Sequence, residues 1–291
     1  MLSKIILLNN RSIIEISGSD RFNFLQGIIT NDINKIKNGN IIYSAMLNPQ
    51  GRFLYDFFIF ENDQKIFLDC SSFRSDELLK KLFFYKLRSD VAINLNKEIS
   101  IVLNFDYKNF KDPRFNSKYS RSYITNDEIE NYQLEDESNY HIERYNNKIA
   151  EGEYDLFYDK SFILEYGFNN MNAIDFGKGC YVGQEVVART HYRGEIRKEV
   201  HQIFIENINQ QLKEYLITKN YIFDSREFVI NNIFCLKGYE IIYQEKKIGL
   251  ILSSLIKNNC LHGLILLNCK DYNLKELENN LEILDNKINI T

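Results

Sequence analysis

Three glycines within seven residues, Gly177, Gly179 and Gly183, constrain this chain more than any other feature. They sit in Phe176-Gly177-Lys178-Gly179-Cys180-Tyr181-Val182-Gly183-Gln184-Glu185. Glycine has no Cβ, so such a run bends sharply or lets the backbone approach another group closely. Cys180 is held in that turn with Lys178 two positions before it. A nearby ammonium favours the thiolate, the reactive form of cysteine. Gln184 and Glu185 add amide and carboxylate hydrogen-bonding groups directly after it. The plain alternative is a small buried thiol in a strand-to-helix corner. The spacing excludes two phosphate loops. Gly177-x-Gly179-x-x-x-Gly183 is not Gly-x-Gly-x-x-Gly, and Lys178 lacks the upstream glycine and following Ser/Thr of a Walker loop.

The rest of the chain predicts an α+β protein. Ser12–Ser17 reads as a strand, and Phe22, Leu25 and Ile29 recur at helical spacing over about 20–29. Ile41–Leu47 and Arg52–Phe60 form a hairpin around Asn48-Pro49-Gln50-Gly51, which has proline second and glycine fourth. Lys65–Cys70 is a further strand. A helix over 75–88 opens on Asp76 and Glu77, closes on Lys86 and Arg88, and carries Leu78, Leu79, Leu82 and Phe83 as its apolar stripe. Val91–Leu95 and Ile99–Phe105 follow as strands, Asp106–Arg121 as a loop, and 138–149 as a helix. Strands and helices in this order suit an α+β fold rather than a doubly wound one. Past Lys198 the pattern becomes a run of short apolar strands, Val200–Ile205, Tyr239–Tyr243, Ile248–Ser254 and Leu261–Leu267, with a turn at Gln244-Glu245-Lys246-Lys247. That predicts a small all-β unit of barrel type, with the boundary near 198.

Composition removes several function classes. A net charge of −4 and a pI near 5.7 provide no basic field for nucleic acid. No apolar run approaches the roughly 20 residues that span a bilayer, so no membrane association is expected. The apolar core of Met1–Asn10 is too short for a secretory signal, and it is not an Arg/Ser-rich transit peptide. Five scattered cysteines (70, 180, 235, 260 and 269) without close spacing indicate free thiols in a reducing compartment. The expected location is the cytoplasm.

Lys178-Gly179-Cys180-Tyr181-Val182-Gly183-Gln184-Glu185 resembles the K-G-C-Y-x-G-Q-E signature of the YgfZ family. These folate-binding proteins are related to the T-protein (aminomethyltransferase) of the glycine cleavage system and are linked to iron–sulfur cluster assembly and repair. Ile16 to Gly27, with its Gly-x-Asp opening and Phe-Leu-Gln-Gly end, is similar to the family's beginning, as are Thr30-Asn31-Asp32 and Leu47–Arg52 followed by Asp56. The resemblance covers about 10–195. It implies a T-protein-like fold: two α+β subdomains over 1–197, and a C-terminal β-barrel over 198–291, around a central hole that takes tetrahydrofolate. It implies a reactive thiol at Cys180. It implies folate contacts from Asp56, Asn31, Lys178, Tyr181, Gln184, Glu185, Arg189 and Arg193. Iron–sulfur proteins or their assembly factors would be the partners. T-proteins carry two adjacent acids where this chain has Tyr55-Asp56, and their Arg-Asp-Ser-Leu-Arg run is absent here. That departure counts against aminomethyl transfer. A folate-dependent one-carbon transferase and a non-catalytic adaptor for iron–sulfur proteins remain as alternative functions.

Arg189, His191, Arg193, Arg197 and Lys198 form a basic cluster suited to an anionic group such as a folate's glutamate tail. The alternative is a solvated strand face balanced by Glu185, Glu195 and Glu199. His191 is a candidate base for Cys180, although a surface or folate-facing histidine is the preferred reading. Cys260, His262 and Cys269 lack Cys-x-x-Cys spacing and read as strand positions, so no metal is expected. The acidic run from Asp127 to Glu137 reads as an exposed loop.

Overall fold

Strand Phe53–Asn62 is buried at eight successive positions, so both of its faces are covered. The computed structural model describes residues 2–37, 39–105, 110–215, 233–234, 236–270, 272, 274–277, 280–283 and 285–291. In it this strand lies in an antiparallel sheet ordered Ile41–Leu47, Phe53–Asn62, Lys65–Ser71, Arg11–Ser17, Ala92–Asn96. Alternation along the strands sends Tyr55, Phe57, Ile59, Leu68 and Cys70 to one side, where they meet Leu25, Ile29, Leu78 and Leu82 of the neighbouring helical segments in one apolar core. The register places Tyr43 and Asp69 opposite Phe58, and Ala45 opposite Asp56. Paired residues share a face, so Asp56, Asp69 and Tyr43 all lie on the other side. A second sheet runs Gln133–Leu134, Lys4–Leu7, Ile99–Asn104, Ser120–Thr125, Phe110–Lys111.

Helices form where the spacing predicted them but with different ends. The first spans only Arg21–Gln26, and the chain turns at Gly27. The second, Ser75–Lys86, buries Leu78 and Leu82 but leaves Phe83 and Phe84 exposed, so the core-facing stripe is narrower than expected. The predicted loop over Asp106–Arg121 overlaps strands at Phe110–Lys111 and Ser120–Thr125, while 106–109 lie outside the described residues. Ser120, Arg121 and Ser122 are buried polar residues, which hydropathy does not mark as a strand. Of the basic cluster set against a solvated strand face, Arg189, His191 and Arg193 lie on the helix Gln184–Arg193, which buries Val187, and Lys198 opens the strand Lys198–Ile205.

Contacts divide the chain into two units. One comprises Met1–Glu137, Phe157–Ile163 and Phe168–Arg193, and the other Ser138–Leu156, Leu164–Gly167 and Gly194–Thr291. The last segment of the second starts at Gly194, and two earlier segments belong to the same unit. Its helix Ser138–Asn146 is fastened by the buried Arg144, which donates to Asp155 at 2.6 Å and to Ser253 of the strand Lys246–Lys257 at 3.3 Å. The sheet of this unit runs Ile233–Phe234, Lys246–Lys257, Cys260–Asn268, Lys198–Ile205, Asn289–Ile290, with Glu240–Tyr243 paired on Lys246–Lys257. The turn at Gln244-Glu245 has both φ angles positive (47° and 62°), as a tight two-residue hairpin requires. Among the described residues the two ends of the sheet do not pair, so these residues form a half-barrel where a barrel is expected. Its terminal strands among the described residues are two residues long.

Candidate functional site

The glycine-rich stretch lies against two earlier turns of the first unit. Thr30 Oγ1 donates to Ala173 O at 2.7 Å, Asp175 N to Thr30 O at 3.0 Å, and Val182 N to Gly27 O at 3.2 Å. Asp175 then folds the loop on itself. Its Oδ1 accepts from Gly177 N at 2.7 Å and Lys178 N at 3.0 Å, and its Oδ2 pairs with Lys35 Nζ at 2.9 Å. The Lys35 bond, followed by those backbone donors, holds the Asp175 carboxyl below the usual range. Sequence reading missed Asp175. Its signal was Asp-x-Gly-Lys, an acid accepting from the backbone two and three residues on.

Lys178 is buried, and its ammonium donates to three main-chain carbonyls: Gln26 O at 2.8 Å, Ile29 O at 2.7 Å and Asn31 O at 2.8 Å. A six-residue helix leaves carbonyls at its C-terminal end without intrahelical partners, and the lysine supplies donors to that turn. Burial pulls its pKa down to about 8, against the opposing influence of Asp32 and Asp175. All three ammonium hydrogens are thereby committed. The lysine is the keystone of the turn, a different use from the expected activation of Cys180. Lys178→Met is expected to cost about 2 kcal/mol, because three buried carbonyls lose their donor. A urea titration measures it, and a loss under about 0.5 kcal/mol would contradict this placement.

Gly183 has φ +84°, and a Cβ there would stand 2.5 Å from Asn48 O. Gly51, at φ +74°, faces it from the hairpin turn, where a Cβ would stand 2.8 Å from Val186 Cβ. The two turns interlock because both positions are glycine. Tyr181 points inward under Lys178, whose ammonium is 5.1 Å from the ring centre, and burial pushes the phenol pKa up. Gln184 closes the turn: its main-chain N donates to Tyr181 O at 3.2 Å, and its side-chain Oε1 accepts from Tyr181 N at 3.4 Å. Cys180 is exposed at the tip. Glu185, Arg189 and Arg193, spaced four apart on the following helix, are exposed too. His191 stacks on Phe176 with ring centres 3.8 Å apart and planes 13° from parallel, so its visible partner is an aromatic ring.

Two expected ligand residues lie deeper. Asn31 is buried and its amide is fully used: Nδ2 donates to Tyr43 O at 2.9 Å and Asn172 O at 2.8 Å, while Oδ1 accepts from Asp32 N at 2.9 Å and Lys35 Nζ at 3.1 Å. Asp56 is buried, and the Tyr43 hydroxyl donates to its Oδ2. The same sheet face holds Asp69, which accepts from both Arg11 and Arg121. Sequence reading missed this network, since its members are scattered from 11 to 123. Cys70, Cys180, Cys260 and Cys269 are free thiols, and Cys235 lies outside the described residues. No helix among the described residues is long and apolar enough to cross a membrane.

Comparison with known proteins agrees with this geometry. A curated iron–sulfur cluster assembly factor IBA57 homolog, mitochondrial, of Neurospora crassa is 32% identical over 226 residues, covering 66% of this chain and 52% of that protein. The iron–sulfur cluster assembly factor IBA57, mitochondrial, of Mus musculus is 30% identical over 235 residues, covering 68% and 65%. The chain thus spans about half the length of the first of these relatives. Their names overturn the cytoplasmic expectation, which rests on the scattered cysteines and on the composition of the first ten residues. In three dimensions the chain is similar to the glycine cleavage system aminomethyltransferase T of Bartonella henselae, with a TM-score of 0.69 at 8% identity, covering 99% of this chain and 84% of that one. Residues 7–96 match the GCVT N-terminal domain, and the chain that carries them has the aminomethyltransferase T fold and sequence relatives among iron–sulfur cluster assembly factors.

Proposed function

We propose that this chain acts in iron–sulfur cluster assembly or repair in the manner of YgfZ-like proteins, with the Cys180 thiol as the group that meets the cluster or its sulfur. The observation that carries this reading is the presentation of Cys180. Lys178, Tyr181, Gly183 and Gln184 of its motif are consumed in building the turn or buried beneath it, while the thiol is exposed. Thiolate is the ligand form for iron–sulfur clusters, and a rigid exposed turn presents it without reorganisation. The names of the relatives support the same process.

Tetrahydrofolate is the cofactor this reading carries. When bound it would supply a reduced pterin able to hold a one-carbon unit. The residues present fit it in part. Asp56 offers a carboxylate of the kind a pterin's N–H groups seek, and Arg189 and Arg193 offer exposed guanidiniums for the glutamate tail. Asn31 and Lys178 build the floor, since their polar groups are already used within the chain.

Cys180→Ala tests the central claim. In a strain lacking its own assembly factor of this type, the unaltered chain should restore iron–sulfur enzyme activity. The alanine variant should fail while melting within about 0.5 kcal/mol of the parent, as expected for an exposed side chain. Full restoration by the variant would refute the reading. An anaerobic calorimetric titration with tetrahydrofolate addresses the cofactor separately. Saturable one-site binding, weakened at least tenfold by joint charge reversal of Arg189 and Arg193, is expected. No heat would remove the folate part and leave the cluster role standing.

A further inference from the structure

In the second unit, strand Lys198–Ile205 pairs antiparallel with Cys260–Asn268, and the pairing continues one step further where Cys269 N donates to Arg197 O at 2.9 Å. Residues 197, 199 and 201 share one face of their strand, and Cys269, opposite 197, shares it with them. The register therefore brings Glu199, His201 and Cys269 together although about 70 residues separate them. Their ligand atoms all lie within 4.8 Å of one another, and Cys269 Sγ is 3.9 Å from His201 Nε2. Cys260 and His262 are not part of this set. His262 lies across from Phe204, with ring centres 5.0 Å apart, and Cys260 begins the strand that Cys269 follows.

We propose that Glu199, His201 and Cys269 form a binding site for a divalent transition metal of zinc type. A thiolate, an imidazole and a carboxylate are the donors zinc takes, with a water completing the tetrahedron. The geometry is close to ready. Zinc–sulfur and zinc–nitrogen bonds of about 2.3 and 2.0 Å at a tetrahedral angle set the two donors about 3.5 Å apart, near the 3.9 Å observed. His201 is buried, with its Nδ1 unpartnered among the described residues, whereas Glu199 is exposed and its side chain can swing the remaining distance. The site sits at the rim of the apolar core, beside Ile203, Ile265 and Leu267. Binding forms the sulfur–metal bond and breaks the S–H bond of Cys269, with the proton released to solvent. A bound ion would clip the start of Lys198–Ile205 to the chain leaving Cys260–Asn268.

Cobalt(II) is the probe, added anaerobically to the chain carrying Cys180→Ser, so that the exposed Cys180 thiol does not compete. The expected result is one equivalent bound, with thiolate-to-cobalt charge-transfer absorption and the intense visible bands of a tetrahedral centre. Cys269→Ser and His201→Gln should each abolish the charge-transfer band or weaken binding by at least about a hundredfold, beyond what loss of a supporting residue costs. Bands that survive both substitutions overturn the site. Should His201→Gln fail to fold, the chain with His201 and Cys269 intact gives a second reading. Zinc should slow alkylation of Cys269, located by peptide mass, at least tenfold, and an unchanged rate overturns the proposal.

Discussion

Gly183→Ala is expected to destabilise the first unit by about 3–4 kcal/mol, far more than its single methyl group would suggest. Two costs add. A φ of +84° places an L-residue where its Cβ crowds its own carbonyl, at about 1–2 kcal/mol. The new Cβ would also lie 2.5 Å from Asn48 O, 3.0 Å from Leu47 Cβ and 3.2 Å from Gly51 Cα. The nearest is a main-chain oxygen that cannot swing aside, so the two turns must separate, which costs about 1–3 kcal/mol more. For a unit of this size the melting temperature should fall by roughly 6–15 °C. Gly179→Ala is the control. Gly179 has no positive φ and nothing within 4 Å of a built Cβ, so its change should stay within about 0.5–1 kcal/mol. The loss at Gly183 should also disturb Cys180, because the turn that presents the thiol rests on that contact. If the two variants melt alike, the interlocked turns are not what fixes the motif.

This contrast shows why the motif was readable while the roles of its residues were not. Glycine spacing announced a tight turn around Cys180, and the exposed thiol agrees with it. Which way Lys178 points depends on where the carbonyls of Gln26, Ile29 and Asn31 lie, about 150 residues earlier. No local pattern encodes that. The same limit hid the Asp69 network and the Glu199, His201 and Cys269 cluster, whose members meet only through sheet register. Strands with apolar alternation were legible, as was the hairpin at Asn48–Gly51, because period and turn chemistry are local. Val186, Val187 and Thr190 are β-branched and masked the helix Gln184–Arg193, which tertiary packing of Val187 overrides. The half-barrel was visible as a run of short strands, but the capture of Ser138–Leu156 by the second unit was not. It depends on buried Arg144, a residue that composition assigns to the surface.

Asp69→Ala is the other change expected to be severe, at about 3–5 kcal/mol. The carboxylate is fully buried and serves three donors. Arg11 Nε reaches Oδ1 at 2.7 Å, Arg121 Nη1 reaches Oδ2 at 2.7 Å, and the Tyr123 hydroxyl reaches Oδ2 at 3.1 Å. Arg121 also lies 3.9 Å from the centre of the Phe58 ring, which fixes it against the sheet. Alanine removes the negative charge that two buried guanidiniums share, and water cannot restore it without opening the face. Burial and, secondarily, Asp69 hold the Tyr123 phenol pKa far up, so a smaller rise should accompany the loss. The damage should reach Asp56, which lies on the same face one alternation along the strand from Phe58, the residue paired with Asp69. A joint replacement, Arg11→Met, Asp69→Leu and Arg121→Met, separates charge from packing. It should recover most of the loss, because an apolar trio of similar volume carries no desolvation cost. Urea titrations of the two variants decide between the terms. A single variant that loses less than about 1 kcal/mol would mean the guanidiniums are neutralised by other acids of the unit. A triple variant no better than the single would place the cost in shape rather than charge.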